Sequence, residues 1–189
     1  MRKIPTLFER NPEDRRHVLP KVTPGCEWVA EGAGTPTRKW DGTCMMLDDA
    51  GVWWARREVK SGKNIPAGFR IEQHDETTGK LVGWEPVAQS PFARFHAQAL
   101  EVGGAKKPGT YELVGPKVQG NPDGFDGHAL IPHGYIPAVE QGDFAAAPRD
   151  FFGLMGWLLA RPQYEGIVWH HPDGRMAKLK RRDFTTEEA

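Results

Sequence analysis

This 189-residue sequence has few cysteines, no long apolar run and no net charge. Cys26 and Cys44 are too few for a disulfide framework, and they lack the neighbouring histidines and cysteines of a zinc site. We therefore expect reduced thiols in a cytoplasmic protein. No stretch approaches the roughly 20 consecutive apolar residues that span a bilayer, and the mean hydropathy is -0.58. The amino terminus contains no apolar signal core, so the sequence predicts neither a membrane segment nor export.

The absence of net charge limits how the chain could bind nucleic acid. Its 25 basic residues balance its 25 acidic ones, so there is no global attraction to a polyanion. Contacts to nucleic acid must then come from local basic clusters such as Arg15-Arg16, Arg56-Arg57 and 178–182. Such clusters are more often solvated surface than binding sites.

Short strand-like segments separated by turns dominate the sequence. Helices are predicted at 91–102 and 148–160, where a proline precedes apolar residues at helical spacing. Strands are predicted at 27–30, 44–47, 52–59, 69–72, 81–84, 109–115, 128–132, 166–170 and 175–180. This pattern predicts an α+β fold with largely antiparallel sheets and few helices.

One domain is predicted for residues 1–189, because the length suits a single core and no linker divides the chain. Residues 1–25 contain four prolines, so we expect an irregular lead-in packed on that domain. In the second helix, an apolar stripe is predicted to be core. It consists of Phe151, Phe152, Met155, Leu158 and Leu159.

The most informative stretch is Lys39-Trp40-Asp41-Gly42. A lysine amine can form a covalent adduct once it has lost its proton. Asp41, two positions on, can help to position that amine or a metal-bound water. Gly42 lets the backbone come close to a ligand such as a nucleotide. Four residues alone are weak support, so the hypothesis depends on what the rest of the chain supplies.

Later segments place charged residues on short strands whose neighbours are mostly apolar. These residues are Glu112, Glu165, Lys178 and Lys180, and the spacing of two puts both lysines on one strand face. Isolated buried charges are costly, so one interpretation is ion pairing between each glutamate and nearby lysines. Taken together with Lys39, however, the set supplies a nucleophile, metal-binding carboxylates and phosphate-binding lysines, the components of phosphoryl-group transfer.

Four ordered segments resemble the motifs of the covalent nucleotidyltransferases, the superfamily of RNA ligases, DNA ligases and mRNA capping enzymes. Lys39-Trp40-Asp41-Gly42 resembles motif I, and 111–115 (Tyr-Glu-Leu-Val-Gly) resembles motif III. Motif IV is similar to 165–168 (Glu-Gly-Ile-Val), and motif V to 178–180 (Lys-Leu-Lys). Finer features, including Thr-Cys after motif I, resemble small ATP-dependent RNA ligases. The implied architecture is the nucleotidyltransferase (ATP-grasp-like ligase) fold, with antiparallel sheets flanking a nucleotide cleft.

The resemblance implies a three-step ligation that uses ATP and Mg²⁺ or Mn²⁺. Lys39 would attack the α-phosphorus of ATP and become lysyl-AMP, and the AMP would pass to an RNA 5′-phosphate. A 3′-hydroxyl would then displace the AMP and seal the strand. Lysine is protonated at neutral pH, with a reference pKa of about 10.4. Nearby Lys178 and Lys180 would favour its neutral, nucleophilic form and would neutralise the α-phosphate.

The resemblance also implies roles for other residues. Glu112 would contact the AMP ribose, while Glu165 and Asp41 would bind the catalytic metal. Either Arg56 or Arg57 would hold the ribose or a nucleic-acid phosphate, and strand alternation leaves the choice open.

Two elements of the family pattern are missing from this sequence. No obvious aromatic stacks on adenine, so Leu130, Ile131 and Phe125 remain candidates. His133, His170 and His171 are expected to be structural, since no metal-ligand spacing supports them. Nine residues after Lys180 cannot form an OB domain, so we expect basic patches or a partner to hold the RNA.

Three other functions are alternatives to an RNA ligase. They are a GTP-using capping-type guanylyltransferase, a DNA ligase, and a non-catalytic nucleotide- or RNA-end-binding module.

Overall fold

The structure, a computed structural model, describes residues 3–103 and 106–184. Strands in these ranges are β1 (Phe8–Arg10), β2 (Val18–Val22), β3 (Thr35–Lys39), β4 (Thr43–Leu47), β5 (Trp53–Val59), β6 (Arg70–Asp75), β7 (Lys80–Pro86), β8 (Gly109–Val114), β9 (Ala129–Pro132), β10 (Gly166–His170) and β11 (Met176–Lys180). The α-helices are α1 (Glu27–Ala30), α2 (Ala93–Val102), α3 (Gln141–Ala145) and α4 (Phe151–Leu159). Pairing between these strands is antiparallel, which confirms an α+β fold with largely antiparallel sheets.

The chain divides into two compact units. The six-stranded unit comprises Met1–Lys3 and Asp41–His133, and the three-stranded unit comprises Ile4–Trp40 and Gly134–Ala189. Residues 1–2, 104–105 and 185–189 of these spans lie outside the described residues. A single domain over 1–189 stays a prediction.

The six-stranded unit is built on one sheet in the order β6-β7-β5-β4-β8-β9. Alternate residues of β4 and β8 point to opposite faces of this sheet. One face, with Met45, Tyr111 and Leu113, packs into a buried apolar cluster that also contains Ala99 of α2. The other face of β4 and β8 therefore carries Cys44 and Glu112, which lie directly opposite one another in the register.

The three-stranded unit contains a sheet in the order β11-β10-β3 and the separate hairpin β1-β2. One face of the sheet packs into a second core through Ile167, Trp169, Ala177 and Leu179, together with side chains of α4. Residues of alternate parity occupy the other face. The sheet thus places Lys39, Lys178 and Lys180 on the side away from this core.

The interpretation of residues 1–25 as irregular was wrong, because β1 and β2 form a hairpin there. Leu7, Phe8 and Val18 are buried in the core of the three-stranded unit. The prolines are compatible with this arrangement because a hairpin of two strands has outer edges that need no ladder hydrogen bond.

Residues 27–30, predicted as a strand, form the single helical turn α1 instead. Gly25 and Gly32 flank it with positive φ angles of 87° and 95°, conformations that reverse the chain on either side. The Trp28 indole donates to the Gly25 carbonyl at 3.0 Å. Four residues are too few for apolar periodicity to distinguish a turn of helix from a strand.

The core stripe predicted for the second long helix was partly wrong. Helix α4 begins after Asp150, whose carboxylate accepts a hydrogen bond from the Gly153 amide at 2.8 Å. Its buried residues are Leu154, Trp157 and Leu158, whereas Phe152 is exposed. The buried face is thus centred on Leu154, because 154, 157 and 158 follow the i, i+3, i+4 spacing.

Candidate nucleotidyltransferase site

Lys39 and Lys180 occupy equivalent positions on either side of the central strand β10. Gly166 is the register partner of Lys39 on β3 and of Lys180 on β11. A Cβ atom at position 166 would lie 2.1 Å from the Leu179 carbonyl oxygen. Only glycine therefore permits this close strand packing, which brings the two lysines to one end of the sheet.

Glu165, the residue before this glycine, contacts both lysines. Its Oε2 accepts a hydrogen bond from Lys39 Nζ at 2.5 Å, and Lys180 Nζ lies 2.5 Å from Oε1. The side chains are largely buried, with relative exposures of 8% for Glu165, 19% for Lys39 and 16% for Lys180. Two ammonium groups and one carboxylate leave an excess positive charge, which suits a bound phosphate.

The two contacts of Glu165 differ in kind. Lys39 makes a hydrogen bond, whereas the contact from Lys180 is an ion pair without hydrogen-bond geometry. Within the described residues, the buried Oε1 atom accepts no hydrogen bond. This oxygen is nonetheless already paired with the Lys180 ammonium, 2.5 Å away. The ion-pairing interpretation of Glu165 is therefore correct, and it involves two of the predicted site residues.

Lys178 is positioned through its backbone. Its amide donates to the Pro5 carbonyl at 3.0 Å, and its carbonyl accepts from the Leu7 amide at 2.8 Å. These bonds attach β11 to the segment just before β1. Because Lys178 and Lys180 are two residues apart on β11, both lie on the same face of the strand.

Gly42 and Glu112 meet within the six-stranded unit. The Gly42 amide donates to Glu112 Oε1 at 3.2 Å, and a Cβ atom on Gly42 would lie 2.1 Å from the Leu113 carbonyl oxygen. Asp41 is held by its own amide, which donates to Asp123 Oδ2 at 3.0 Å. Motif I and motif III are thus connected at Gly42 and Glu112, and Asp123 is a positioning residue that the sequence did not reveal.

The two arginines of β5 lie on opposite faces of the sheet. Arg57 pairs with the buried carboxylate of Glu85 at 2.8 Å. Arg56 alternates with it and shares the face of Cys44 and Glu112. Its Nε atom is buried, and the guanidinium makes no hydrogen bond or ion pair within 3–103 and 106–184. Arg56 is therefore better placed than Arg57 for an anionic ligand.

Burial narrows the candidates for the adenine contact. Leu130 belongs to the apolar core of the six-stranded unit. Ile131 is the register partner of Glu112 and lies on the same face of the sheet. Phe125 is half-buried, and its amide donates to Asn121 Oδ1 at 3.0 Å. Ile131 is consequently the best placed of the three.

The histidines differ in their surroundings. His170 contacts the Thr37 hydroxyl at 3.0 Å, and His171 lies against Trp28 and Asp173. The ring of His133 is instead held between Thr110 Oγ1 at 2.8 Å and Glu112 Oε2 at 2.9 Å. His133 therefore contacts a predicted site residue. Its position directly after β9, beside the strand of Glu112, is a signal that sequence spacing alone did not reveal.

Comparison with curated proteins shows an RNA ligase-like, nucleotidyltransferase-type relationship over part of the chain. One relative, RNA ligase 1 of Danio rerio, is 36% identical over 140 residues, which cover 68% of this chain and 35% of that protein. RNA ligase 1 of Pongo abelii is 34% identical over 84 residues, which cover 38% of this chain and 23% of that protein. No family model matches the chain.

The chain thus spans 35% or less of the length of these relatives. The similarity to proteins named RNA ligase 1 confirms the resemblance that the four ordered motifs indicate.

No helix of the described ranges is long and apolar enough to cross a membrane.

Proposed function

We propose that this chain is the adenylyltransferase part of an ATP-dependent RNA ligase with the nucleotidyltransferase fold. The observation that carries the proposal is the contact of Lys39 and Lys180 with the single carboxylate of Glu165. The RNA substrate is inferred from the relatives named RNA ligase 1. The ligation joins a 5′-phosphate end to a 3′-hydroxyl end.

In the first step, Lys39 Nζ would form a bond to the α-phosphorus of ATP as the bond to the β-phosphate oxygen breaks and pyrophosphate leaves. Lysine must lose a proton to act as the nucleophile. Glu165 Oε2, 2.5 Å from Lys39 Nζ, is positioned to accept it. Lys180 and Lys178 would offset the negative charge on the phosphate.

In the later steps, the AMP would move from Lys39 to the RNA 5′-phosphate, and the 3′-hydroxyl would then displace AMP to form the phosphodiester. Glu112, held by the Gly42 amide, would contact the ribose. Arg56, whose guanidinium is unpaired among the residues that the structure describes, would bind a phosphate or the ribose, and Ile131 would cover the adenine.

Mg²⁺ or Mn²⁺ fits the donor chemistry at Glu165. A hard divalent ion prefers carboxylate oxygens, and Glu165 supplies a largely buried carboxylate whose present partners are the ammonium groups of Lys39 and Lys180. Glu165 would supply a ligand to this ion. The ion would neutralise charge on the ATP phosphates when bound.

Nucleotide choice and covalent labelling distinguish this proposal from its alternatives. The protein should be incubated with radiolabelled ATP or GTP and resolved by denaturing electrophoresis. The RNA ligase proposal predicts a label from ATP that is absent in Lys39→Ala. A label from GTP alone would indicate a capping-type guanylyltransferase, and the absence of any label would favour a non-catalytic binding module.

Polynucleotide choice requires a sealing assay. The substrates are 5′-phosphorylated RNA and DNA of the same sequence, in single-stranded, nicked and hairpin forms. Sealing of RNA in preference to DNA supports the proposal, whereas sealing of DNA alone identifies a DNA ligase.

A further inference from the structure

Three metal-binding side chains converge on one face of the six-stranded sheet. Cys44 on β4 lies directly opposite Glu112 on β8, and His133 follows β9 at the other side of that strand. Their donor atoms all lie within 4.8 Å of one another. None of these residues is more than half exposed, and none is fully buried, so an ion could reach them.

The donor set selects the kind of cation. Thiolate, imidazole and carboxylate together are typical of Zn²⁺ and similar borderline ions, whereas Mg²⁺ and Ca²⁺ prefer oxygen ligands alone. Tetrahedral coordination at normal zinc bond lengths requires donors roughly 3.3–3.8 Å apart. The donor atoms lie at most 4.8 Å apart, and His133 Nε2 and Glu112 Oε2 are 2.9 Å apart, so small side-chain rotations would bring the separations into this range.

Two further groups already orient the ligands. Thr110 Oγ1 contacts His133 Nδ1 at 2.8 Å, and the Gly42 amide donates to Glu112 Oε1 at 3.2 Å. These contacts leave His133 Nε2 and Glu112 Oε2 facing one another at 2.9 Å. A hydrogen bond to the ring nitrogen that does not bind the ion fixes the orientation of a histidine ligand in a metal site.

The positions of the ligand protons are compatible with metal binding. Without an ion, His133 Nε2 contacts Glu112 Oε2 at 2.9 Å and Nδ1 contacts Thr110 Oγ1 at 2.8 Å. With an ion on Nε2, the imidazole would carry its proton on Nδ1, and that N–H would donate a hydrogen bond to Thr110 Oγ1. The Cys44 thiol proton is released to solvent, because only the thiolate is a strong ligand.

We propose that Cys44, Glu112 and His133 bind one thiophilic divalent cation of the Zn²⁺ class, with an open fourth position. Thr110 acts as a positioning residue for His133. This site does not include Glu165, it shares Glu112 with the proposed ribose contact, and it does not rest on the proposed ligase activity.

Cys26 provides an internal control thiol. It is only 1% exposed and lies in the core of the three-stranded unit. Burial raises the pKa of its thiol, which disfavours the thiolate that a metal requires. His74, which is exposed on β6 of the same sheet as the site, is the matched control histidine.

The test titrates the whole protein with Co²⁺, without nucleotide, and follows the thiolate-to-cobalt charge-transfer band and the visible d–d bands. We expect one equivalent to bind, Zn²⁺ to displace it, and Cys44→Ser to lose the charge-transfer band. His133→Gln and Glu112→Gln should weaken binding at least tenfold, and Thr110→Val about tenfold. His74→Gln and Cys26→Ala should bind as the parent protein does.

Alkylation gives a second readout that does not depend on how well the variants fold. In the unsubstituted protein, Zn²⁺ should slow modification of Cys44 at least tenfold, as followed by peptide mapping. The proposal is overturned if no thiolate-to-cobalt band forms in the parent protein, if the band survives in Cys44→Ser, or if Zn²⁺ leaves the Cys44 alkylation rate unchanged. Because no nucleotide is present, failure here is distinct from failure of the proposed ligase.

Discussion

Lys39 and Lys180 are register partners of the same glycine, on the two strands that flank β10. Their ammonium groups therefore reach one carboxylate, that of Glu165, from neighbouring strands. Without this carboxylate, the two ammonium groups would repel one another. The carboxylate of Glu165 stabilises the two ammonium groups in the absence of a ligand. A bound phosphate would interact with the same two ammonium groups.

Glu165→Gln should impair both folding and chemistry. The substitution removes the carboxylate that separates two largely buried ammonium groups, so we expect the free energy of unfolding to fall by about 3 kcal/mol. Loss of the proton acceptor should slow lysyl-AMP formation at least ~100-fold. Chemical denaturation and single-turnover labelling measure the two effects.

A double substitution provides the control. Lys180→Met in the Glu165→Gln protein should restore part of the stability, because it removes one of the two repelling charges. A coupling free energy of about 0.5–3 kcal/mol is expected from the cycle. Purely additive effects of the two substitutions would show that the ion pair contributes nothing.

Gly166→Ala should disrupt the three-stranded sheet. Its Cβ atom would meet the Leu179 carbonyl oxygen at 2.1 Å, so we expect a loss of about 3 kcal/mol or more. Gly156→Ala is the matched control, because nothing lies within 4 Å of an added Cβ atom in helix α4. That change should stabilise the protein by about 0.5–1 kcal/mol. Equal thermal stabilities for the two variants would be incompatible with the strand packing described.

Arg56→Ala and Arg57→Ala should have opposite consequences. Loss of Arg56 should weaken AMP binding about tenfold with little effect on stability, since its guanidinium has no partner in the described residues. Loss of Arg57 should leave AMP binding unchanged but cost about 1–3 kcal/mol, because Glu85, 3% exposed, would lose its ion pair. Calorimetric titration with AMP and urea denaturation test both claims, and the reverse pattern would exchange the two roles.

His96 should make the six-stranded unit less stable in mild acid. Burial lowers the pKa of His96 below the ordinary value of 6.5. Its ring packs edge-on against that of Trp53, with 4.6 Å between the ring centroids. As the pH falls through 6.5, the unfolded chain takes up a proton that the folded chain resists, so the free energy of unfolding decreases. Comparing unfolding at pH 8 and pH 5 should show a smaller decrease in His96→Phe. An identical decrease in both proteins would assign the effect elsewhere.

Sequence patterns predicted the long, regular elements of the fold. The strands around 44–59 and 166–180 were correctly predicted, because short runs rich in apolar and aromatic residues flank the turns at Asp48–Gly51 and 171–174. Strand β3 was missed because it is a polar edge strand that includes Pro36. The hairpin β1-β2 was missed for a similar reason, since its prolines suggested irregular structure.

The candidate site was predicted only in part. Motif spacing identified Lys39, Glu165 and Lys180, which the sheet register then brought together. Single-sequence reasoning could not choose between Arg56 and Arg57, because that choice depends on which face of β5 is buried. It also treated His133 as structural, because its contact with Glu112 depends on the pairing register of β8 and β9.

The most direct test of the central claim is intact-mass analysis of the protein after incubation with ATP and Mg²⁺, followed by peptide mapping. We predict a single AMP adduct on the peptide that contains Lys39, with release of pyrophosphate, and no adduct in Lys39→Arg. An adduct on another lysine, or an adduct that persists in Lys39→Arg, would contradict the assignment of Lys39 as the nucleophile.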